Sequence, residues 1–419
     1  MHLQSLRHLA TATALGCLAA LNGCGGGNDD DGPAERRVGS LKLIGQQVMP
    51  RRGEFQGTVV GGLSGIDYDA VNDRYVLVSD DRTATDSAQP PRMYTARLDF
   101  DAQRFTSVRM LSTFSMKQPD GATYPKVPDL LTPDPEAVRL DPVSGNYLWT
   151  SEGERTPATA TTAQRLIDPF IREITADGAH VREYALPAMF RMSAAERGPR
   201  SNLVFEGLTV TPDRTRTVVL AEGPRYEDGP APTPTAGAVS RITVFDRATG
   251  TAQAQYAYPV ERVQAEPVPA GQFAVSGATE ILAITDTRFL VLERSFSVGV
   301  VGNQVRLYEI DVSRATDVSN TPALAGAGYA PVTKRLVLDF ETLKASLGGI
   351  ANLEGMTFGP GCPTDTTRWS SWRTTTFPRR IRRRTATSSW SSTSSPDRRP
   401  GGGAGPRSVI TATHGGVSM

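Results

Sequence analysis

Residues 136–155 read EAVRLDPVSGNYLWTSEGER, and residues 206–225 read EGLTVTPDRTRTVVLAEGPR. Each opens on a glutamate, runs through an apolar stretch into a turn, returns through a second apolar stretch and ends in an acid and an arginine. The same plan appears in SGIDYDAVNDRYVLVSDDR at 64–82, in EILAITDTRFLVLER at 280–294 and, cut short, in EGMTFG at 354–359. The five copies start 70 to 74 residues apart, a period too even for unrelated strands in one sheet. A hairpin repeated at that spacing predicts blades around an axis.

Outward from these hairpins, each unit offers four strand-like segments separated by turn residues, in the first unit near 61–69, 74–80, 92–100 and 104–115. Four antiparallel strands per repeat make the blade of a β-propeller. The expected fold class is therefore all-β: a single propeller, most simply of five four-stranded blades closed by the unassigned N-terminal strand 41–49. Six blades are the alternative if 223–239 or 312–332, both rich in Pro, Ala and Gly, hides another one.

The flanks differ from the body. Arg7 and His8 precede the apolar run 9–21, which is too short to span a bilayer and suits a signal sequence. The run ends Leu21-Asn22-Gly23-Cys24, which resembles a bacterial lipobox with Cys24 as the acylated residue. An ordinary secretory signal cut nearby is the other reading. The division expected is a lipoprotein signal peptide over 1–23, a flexible tether over 24–37, the propeller over 38–360 and an aberrant tail over 361–419. The protein is then exported to the cell envelope, as an outer-membrane or periplasm-facing lipoprotein that meets the membrane through its lipid.

The tail is rich in Arg, Ser and Thr, and holds three of the four tryptophans, Trp369, Trp372 and Trp390. Such a composition reads as disordered. Trp, Phe, Cys and most Ser codons begin with T, and moving that base to the middle of the codon yields apolar residues. Trp369-Ser370-Ser371-Trp372 and Ser389-Trp390-Ser391-Ser392 then become two apolar strands, the first followed by a pair of carboxylates. A frameshift near Pro360 is the sharper reading.

Composition removes several function classes. The net charge is +1, but the tail carries ten Arg against two acids and the first 23 residues one Arg, which leaves the body about eight charges negative. Nucleic acid is not an expected partner of such a body. Cys17, Cys24 and Cys362 all lie outside the repeats, so neither a disulfide framework nor a cysteine zinc site is on offer. His180 is the one histidine of the body, which leaves a Ser-His-Asp hydrolase without its base. Around Ser64, GGLSG carries Ile66 where a nucleophile elbow needs glycine.

If the first strand of each blade starts at one mouth of the channel, the second ends beside it. The first set at that mouth is Glu136, Glu206, Glu280 and Glu354, with Ser64 in the first copy; these four glutamates are the candidate catalytic residues. The second set is Asp80, Glu152, Glu222 and Glu293, joined by Asp81; with Glu136 and Glu206 these are the candidate metal ligands. Arg82, Arg155, Arg225 and Arg294 follow the second set and are the candidate substrate-binding residues. So many carboxylates around one axis need raised pKa values, cations or arginines to coexist. A hard cation such as calcium suits the oxygens, and arginine forks suit an anionic ester substrate. The other reading is that acids and arginines of neighbouring blades simply pair to lock the ring, around an unidentified ligand or none.

GGLSGIDYD, LTPDPEAVRLDP, FEGLTVTPD, FLVLERSF and NLEGMTFGP together resemble the phytase-like domain, described as having the esterase-like activity of phytase. The resemblance covers about residues 40–360 and implies a propeller distantly similar to the β-propeller phytases, which bind calcium and hydrolyse phosphomonoesters. Asp134-Pro135-Glu136-Ala137-Val138 is similar to an acidic-proline motif of those enzymes. Two functions follow: a metal-assisted phosphoesterase or esterase, or a non-catalytic propeller that binds a partner at its mouth.

Resequencing the gene across the Pro360 codon is expected to show one base gained or lost; an intact frame refutes the frameshift.

Overall fold

The computed structural model describes residues 37–50, 53–81 and 89–360, together with the backbone of 13–21 and 407–414. Four blades follow one another in chain order, each a four-stranded antiparallel sheet. Blade one comprises Leu63–Asp69, Arg74–Ser79, Arg92–Phe100 and Phe105–Ser115; blade two comprises Pro135–Leu140, Tyr147–Ser151, Phe170–Ile174 and His180–Glu183. Blade three comprises Phe205–Val210, Arg216–Ala221, Ala238–Asp246 and Ala252–Val260; blade four comprises Ala274–Ala283, Arg288–Ser297, Gln304–Asp311 and Thr333–Asp339. A further four-stranded sheet runs in the order Ser40–Met49, Thr13–Leu21, Arg407–His414, Asn352–Phe358. Its strand Asn352–Phe358 lies against the first strands of blades four and one, as each first strand lies against its neighbours around the axis.

Period-two alternation builds this arrangement, because successive side chains of a strand enter opposite gaps between blades. In blade two, Tyr147 and Trp149 pack with Val76 and Val78 of blade one, while Leu148 packs with Phe205 and Val219 of blade three. In blade three, Val218 and Leu220 turn toward blade four, while Val219 faces blade two. Ile44 and Met49 of the N-terminal strand pack with blade one, and Val38, Leu41 and Leu43 pack with blade four. The loops 223–239 and 312–332 are joined by Asp228, which accepts hydrogen bonds from Arg225, Arg241 and the Leu324 amide. Apart from Ala238 and Val239, which open the strand Ala238–Asp246, neither holds a strand.

In the first four blades, four to six residues separate the first strand from the second. In the further sheet, the neighbour of Asn352–Phe358 begins 48 residues later, at Arg407. Cys24, the rest of the signal, the tether up to 36 and residues 361–406 lie outside the described residues.

The first strand of each sheet carries one extra residue against its partner. The register slips at Ser64, at Glu136, at Glu206 and at Glu354, and in blade four it slips at Thr279. Blade four is therefore offset by one residue from the sequence alignment, which had paired Glu280 with Glu206. Glu280 instead takes the level of Gly65, Ala137, Gly207 and Gly355. The glycines are needed there: a Cβ on Gly65 would sit 2.8 Å from the Glu136 carbonyl, and one on Gly207 2.7 Å from the Ile281 amide.

The space left at this level holds an ion pair on the axis. Glu280 Oε2 lies 2.7 Å from Arg139 Nη2, and both side chains are almost wholly buried. Arg139 also donates to the carbonyls of Ile66 and Val138 at 2.8 Å, Met356 at 3.2 Å and Ile281 at 3.3 Å. Glu280 accepts from the amides of Ile281 at 2.9 Å, Leu208 at 3.2 Å and Met356 at 3.4 Å. One pair thus touches all five first strands. Glu280, a candidate catalytic residue from the sequence, is a structural plug at the floor of the mouth. Removing one partner of such a pair strands the other charge, so Arg139→Ala should destabilise the fold by about 3–5 kcal/mol. Urea unfolding checks this, and a loss under about 1 kcal/mol would contradict the assigned role.

A candidate cation site in the acidic mouth

Above the plug, blade two supplies three carboxylates. The chain enters as Asp134-Pro135-Glu136, and the Ser151 hydroxyl accepts from the amides of Asp134 at 2.9 Å and Gly153 at 3.3 Å. The Glu152 amide returns a bond to the Asp134 carbonyl at 3.1 Å, which closes the strand ends against each other. Gly153, at φ +73°, turns the chain out of the mouth immediately after Glu152. The outcome is one oxygen each from Asp134, Glu136 and Glu152, all within 4.8 Å of one another, on three buried residues.

The Glu136 carboxylate, on a residue only 7% exposed, has no hydrogen-bond or ion-pair partner among the described residues. Burial pushes its pKa well above the usual carboxylate range, and the charges of Glu206, Asp134, Glu152 and Asp80 push it further. Glu206 shares the condition: it is 6% exposed, without a partner, and raised first by burial and then by Glu222, Glu152 and Glu354. Buried carboxylates without donors are costly unless protonated or bound to a cation. Three hard oxygens at this spacing fit a divalent cation such as calcium.

Opposite, the excess charge is already balanced. Arg294 occupies in blade four the place that Asp80, Glu152 and Glu222 occupy in the other blades. It pairs with Glu222 at 2.9 Å and Glu354 at 2.6 Å, and Asn352 accepts from it at 2.6 Å. Gly277, without a side chain, leaves room for the Glu222 carboxylate beneath the blade-four hairpin. Burial raises Glu222 to about 7 against the pull of Arg294, with Glu354 adding to the rise.

The remaining candidates divide sharply. Asp80 reaches the mouth beside Gly62, and its charge is felt by Glu136. Asp81 turns away to pair with Arg92 at 2.9 Å. Glu293 points into the gap between blades three and four, where it accepts from Lys334 at 2.6 Å and Tyr258 at 2.7 Å. Arg155 binds the carbonyl of Ser193 at 2.8 Å and lies over the Tyr226 ring, and Arg225 is held by Asp228 at 2.9 Å. Arg82 lies outside the described residues. The fork of four arginines expected at the mouth therefore reduces, among described residues, to Arg294, which is occupied by two glutamates. Asp134 and Arg139 were not among the candidates. The Asp-Pro-Glu spacing was the signal for the first, since residues two apart share one side of a strand. Nothing in the repeat marks the second.

The family described as phytase-like, esterase-like activity of phytase, matches residues 58–369, and the chain belongs to it. No curated protein matches the chain. Among solved structures, a periplasmic gluconolactonase from Pseudomonas aeruginosa is similar at 11% identity and a TM-score of 0.33, over 77% of this chain and 83% of that one. An endo-arabinase from Bacteroides thetaiotaomicron is similar at 11% identity and a TM-score of 0.33, over 67% of this chain and 82% of that one. A gluconolactonase from Xanthomonas campestris matches at 14% identity and a TM-score of 0.24, over 60% and 71%. No helix among the described residues is long and apolar enough to cross a membrane.

Raised carboxyls set the pH behaviour. Glu222 and Glu280 keep their protons up to about 7, while the unfolded chain loses them near 4.5. The folded state then holds more protons than the unfolded one across that window, so stability falls as pH rises through it. With chelator, the melting temperature should drop between pH 5 and pH 8; with calcium, the drop should shrink because the cation replaces the proton on Glu136. A melting temperature that rises across this window in chelator would contradict the assignment.

Proposed function

We propose that the protein is an exported, lipid-anchored five-bladed propeller that hydrolyses an ester with the help of a divalent cation held by Asp134, Glu136 and Glu152. The observation that carries this reading is Glu136: a buried carboxylate without a donor, set among two others within 4.8 Å. Calcium, when bound there, would polarise an ester oxygen and a water. The chain's own residues prepare the place. Ser151 fixes Asp134 against the returning strand, and the Arg139–Glu280 pair fills the axis beneath the mouth. Arg294 offsets Glu222 and Glu354. Ser64, whose hydroxyl meets only the Pro135 carbonyl at 3.4 Å, has no base to activate it, which supports attack by water over a covalent serine route.

The fate of the mouth arginines favours an uncharged ester over a phosphomonoester. Arg155 and Arg225 are spent on carbonyls and Asp228, so a dianion would enter an acidic well with little to grip it. The placement of Asn352–Phe358 against the first strands of blades four and one supports the five-bladed reading. A frame corrected after Pro360 would supply an apolar second strand for that blade shortly after Phe358. The competing reading, a binding propeller without turnover, is favoured by Arg294, which locks blade three to the strand Asn352–Phe358 through Glu222 and Glu354.

The frame-corrected protein should hydrolyse p-nitrophenyl acetate or butyrate in calcium and lose that activity in chelator, with p-nitrophenyl phosphate and phytate slower. Glu136→Gln should lower both the rate and the calcium-induced rise in melting temperature at least tenfold and by more than half, respectively. Glu293→Gln, which leaves the mouth untouched, should keep the calcium rise. A calcium rise in the original protein without hydrolysis of any ester leaves the binding reading standing; no calcium rise removes the cation site.

A further inference from the structure

Cys24 is flanked, among the described residues, by segments at the end of the propeller opposite the acidic mouth. On its N-terminal side, Leu21 pairs with Ser40, at the start of the outer strand of the closing sheet. On its C-terminal side, the chain is seated at Val38, whose amide donates to Glu309 Oε2 at 2.9 Å and whose carbonyl accepts from Arg335 at 2.9 Å. Val38 is buried in the cluster of Leu282 and Ile284, the lower end of the first strand of blade four. Arg37 lies beside Arg288, Asp311 and Thr333, which stand opposite one another in register as the last row of that blade. Arg294, at the mouth, is six residues along the same strand from Arg288, a rise of about 20 Å. Once residues 1–23 are removed, the chain that follows Cys24 joins the body at its base through Arg37 and Val38.

Charge distinguishes the two ends. The base at this point has a cavity of about 200 Å3 lined by Arg37, Arg288, Lys334 and Arg335 with Glu309 and Asp311. The mouth presents Asp80, Asp134, Glu136, Glu152, Glu206, Glu222 and Glu354 against Arg294. Thirteen residues separate Cys24 from Arg37, and such a length spans at most about 45 Å. That reach covers either orientation, but only the base can meet the lipid without spending about 20 Å of it along the side of a blade. Arg37, Arg288 and Arg335 stand at the base against Glu309 and Asp311, a small positive excess that an anionic lipid surface favours over the carboxylates of the mouth.

We propose that the base of the propeller, around Arg37, Arg288 and Arg335, faces the lipid surface, and that the acidic mouth opens away from it toward solution. The substrate then arrives as a soluble ester, and lipids of the anchoring membrane are not substrates. This rests on acylation of Cys24.

The acylated, frame-corrected protein would be reconstituted on phosphatidylethanolamine–phosphatidylglycerol vesicles carrying a headgroup dye. A donor label would be placed by Val143→Cys or by Val301→Cys. Val143, on the base hairpin of blade two, is 62% exposed, and Val301, on the mouth hairpin of blade four, is 85% exposed, so neither change touches the core. Energy transfer from position 143 should exceed that from position 301 at least twofold. Equal transfer, or more from position 301, overturns the orientation while leaving the anchor intact. Protein that stays in the supernatant regardless of label, with Cys24→Ser behaving identically, overturns the anchor and the orientation with it.

Discussion

The Arg139–Glu280 pair is the constraint on which the rest of the ring depends. A propeller brings five first strands to one axis, and something must fill the axis without leaving their inward polar groups unsatisfied. Glycine or alanine at four positions narrows the ring, and the two long side chains occupy what remains. Their hydrogen bonds reach Ile66, Val138, Leu208, Ile281 and Met356, one strand of each sheet. A buried ion pair repays its desolvation only when its geometry is good and its remaining donors and acceptors are met. Here the backbone meets most of them. The pair therefore specifies how the five strands come together more than it adds net stability.

The same blade that supplies Glu280 also breaks the symmetry of the mouth. A slip of one residue at Thr279 drops the glutamate to the plug and raises Arg294 into a position that other blades give to an acid. Blades three and four and the strand Asn352–Phe358 become tied by Glu222–Arg294–Glu354. Across the mouth, Glu136 of blade two has no such arginine and lies within 4.8 Å of the carboxylates of Asp134 and Glu152. Glu206, between the two regions, belongs to neither. The mouth is thus divided into a neutralised half that holds the ring together and a charged half that can hold a cation.

A close approach between strands explains why serine or glutamate followed by glycine recurs in the sequence. The extra residue bulges its side chain toward the mouth, and the glycine after it admits the backbone of the next blade. This one dipeptide ties a local irregularity to global closure. It also explains why an acid at the bulge meets its counterparts around the axis, since blades two and three and the strand Asn352–Phe358 deliver Glu136, Glu206 and Glu354 at one height.

Much of the architecture was legible from residues alone. The period of the hairpins, the alternation in Tyr147-Leu148-Trp149 and Val218-Val219-Leu220, and the turn residues between them located the strands of four blades, because these depend on local backbone preference and two-faced burial. The carboxylates Glu136, Glu152, Glu206, Glu222 and Glu354 were likewise placed at one mouth by hairpin logic. What the sequence could not disclose was register in blade four, since a one-residue slip moves a side chain to another face while leaving the apolar pattern intact. It could not disclose the destinations of Arg155, Arg225 and Glu293, long side chains whose partners come from distant segments. Nor could it mark Arg139, whose neighbours lie up to 217 residues away. Local periodicity determines which strands form and which ends they share; only the closed ring decides which charges meet across the axis, because that choice is made by contacts between blades.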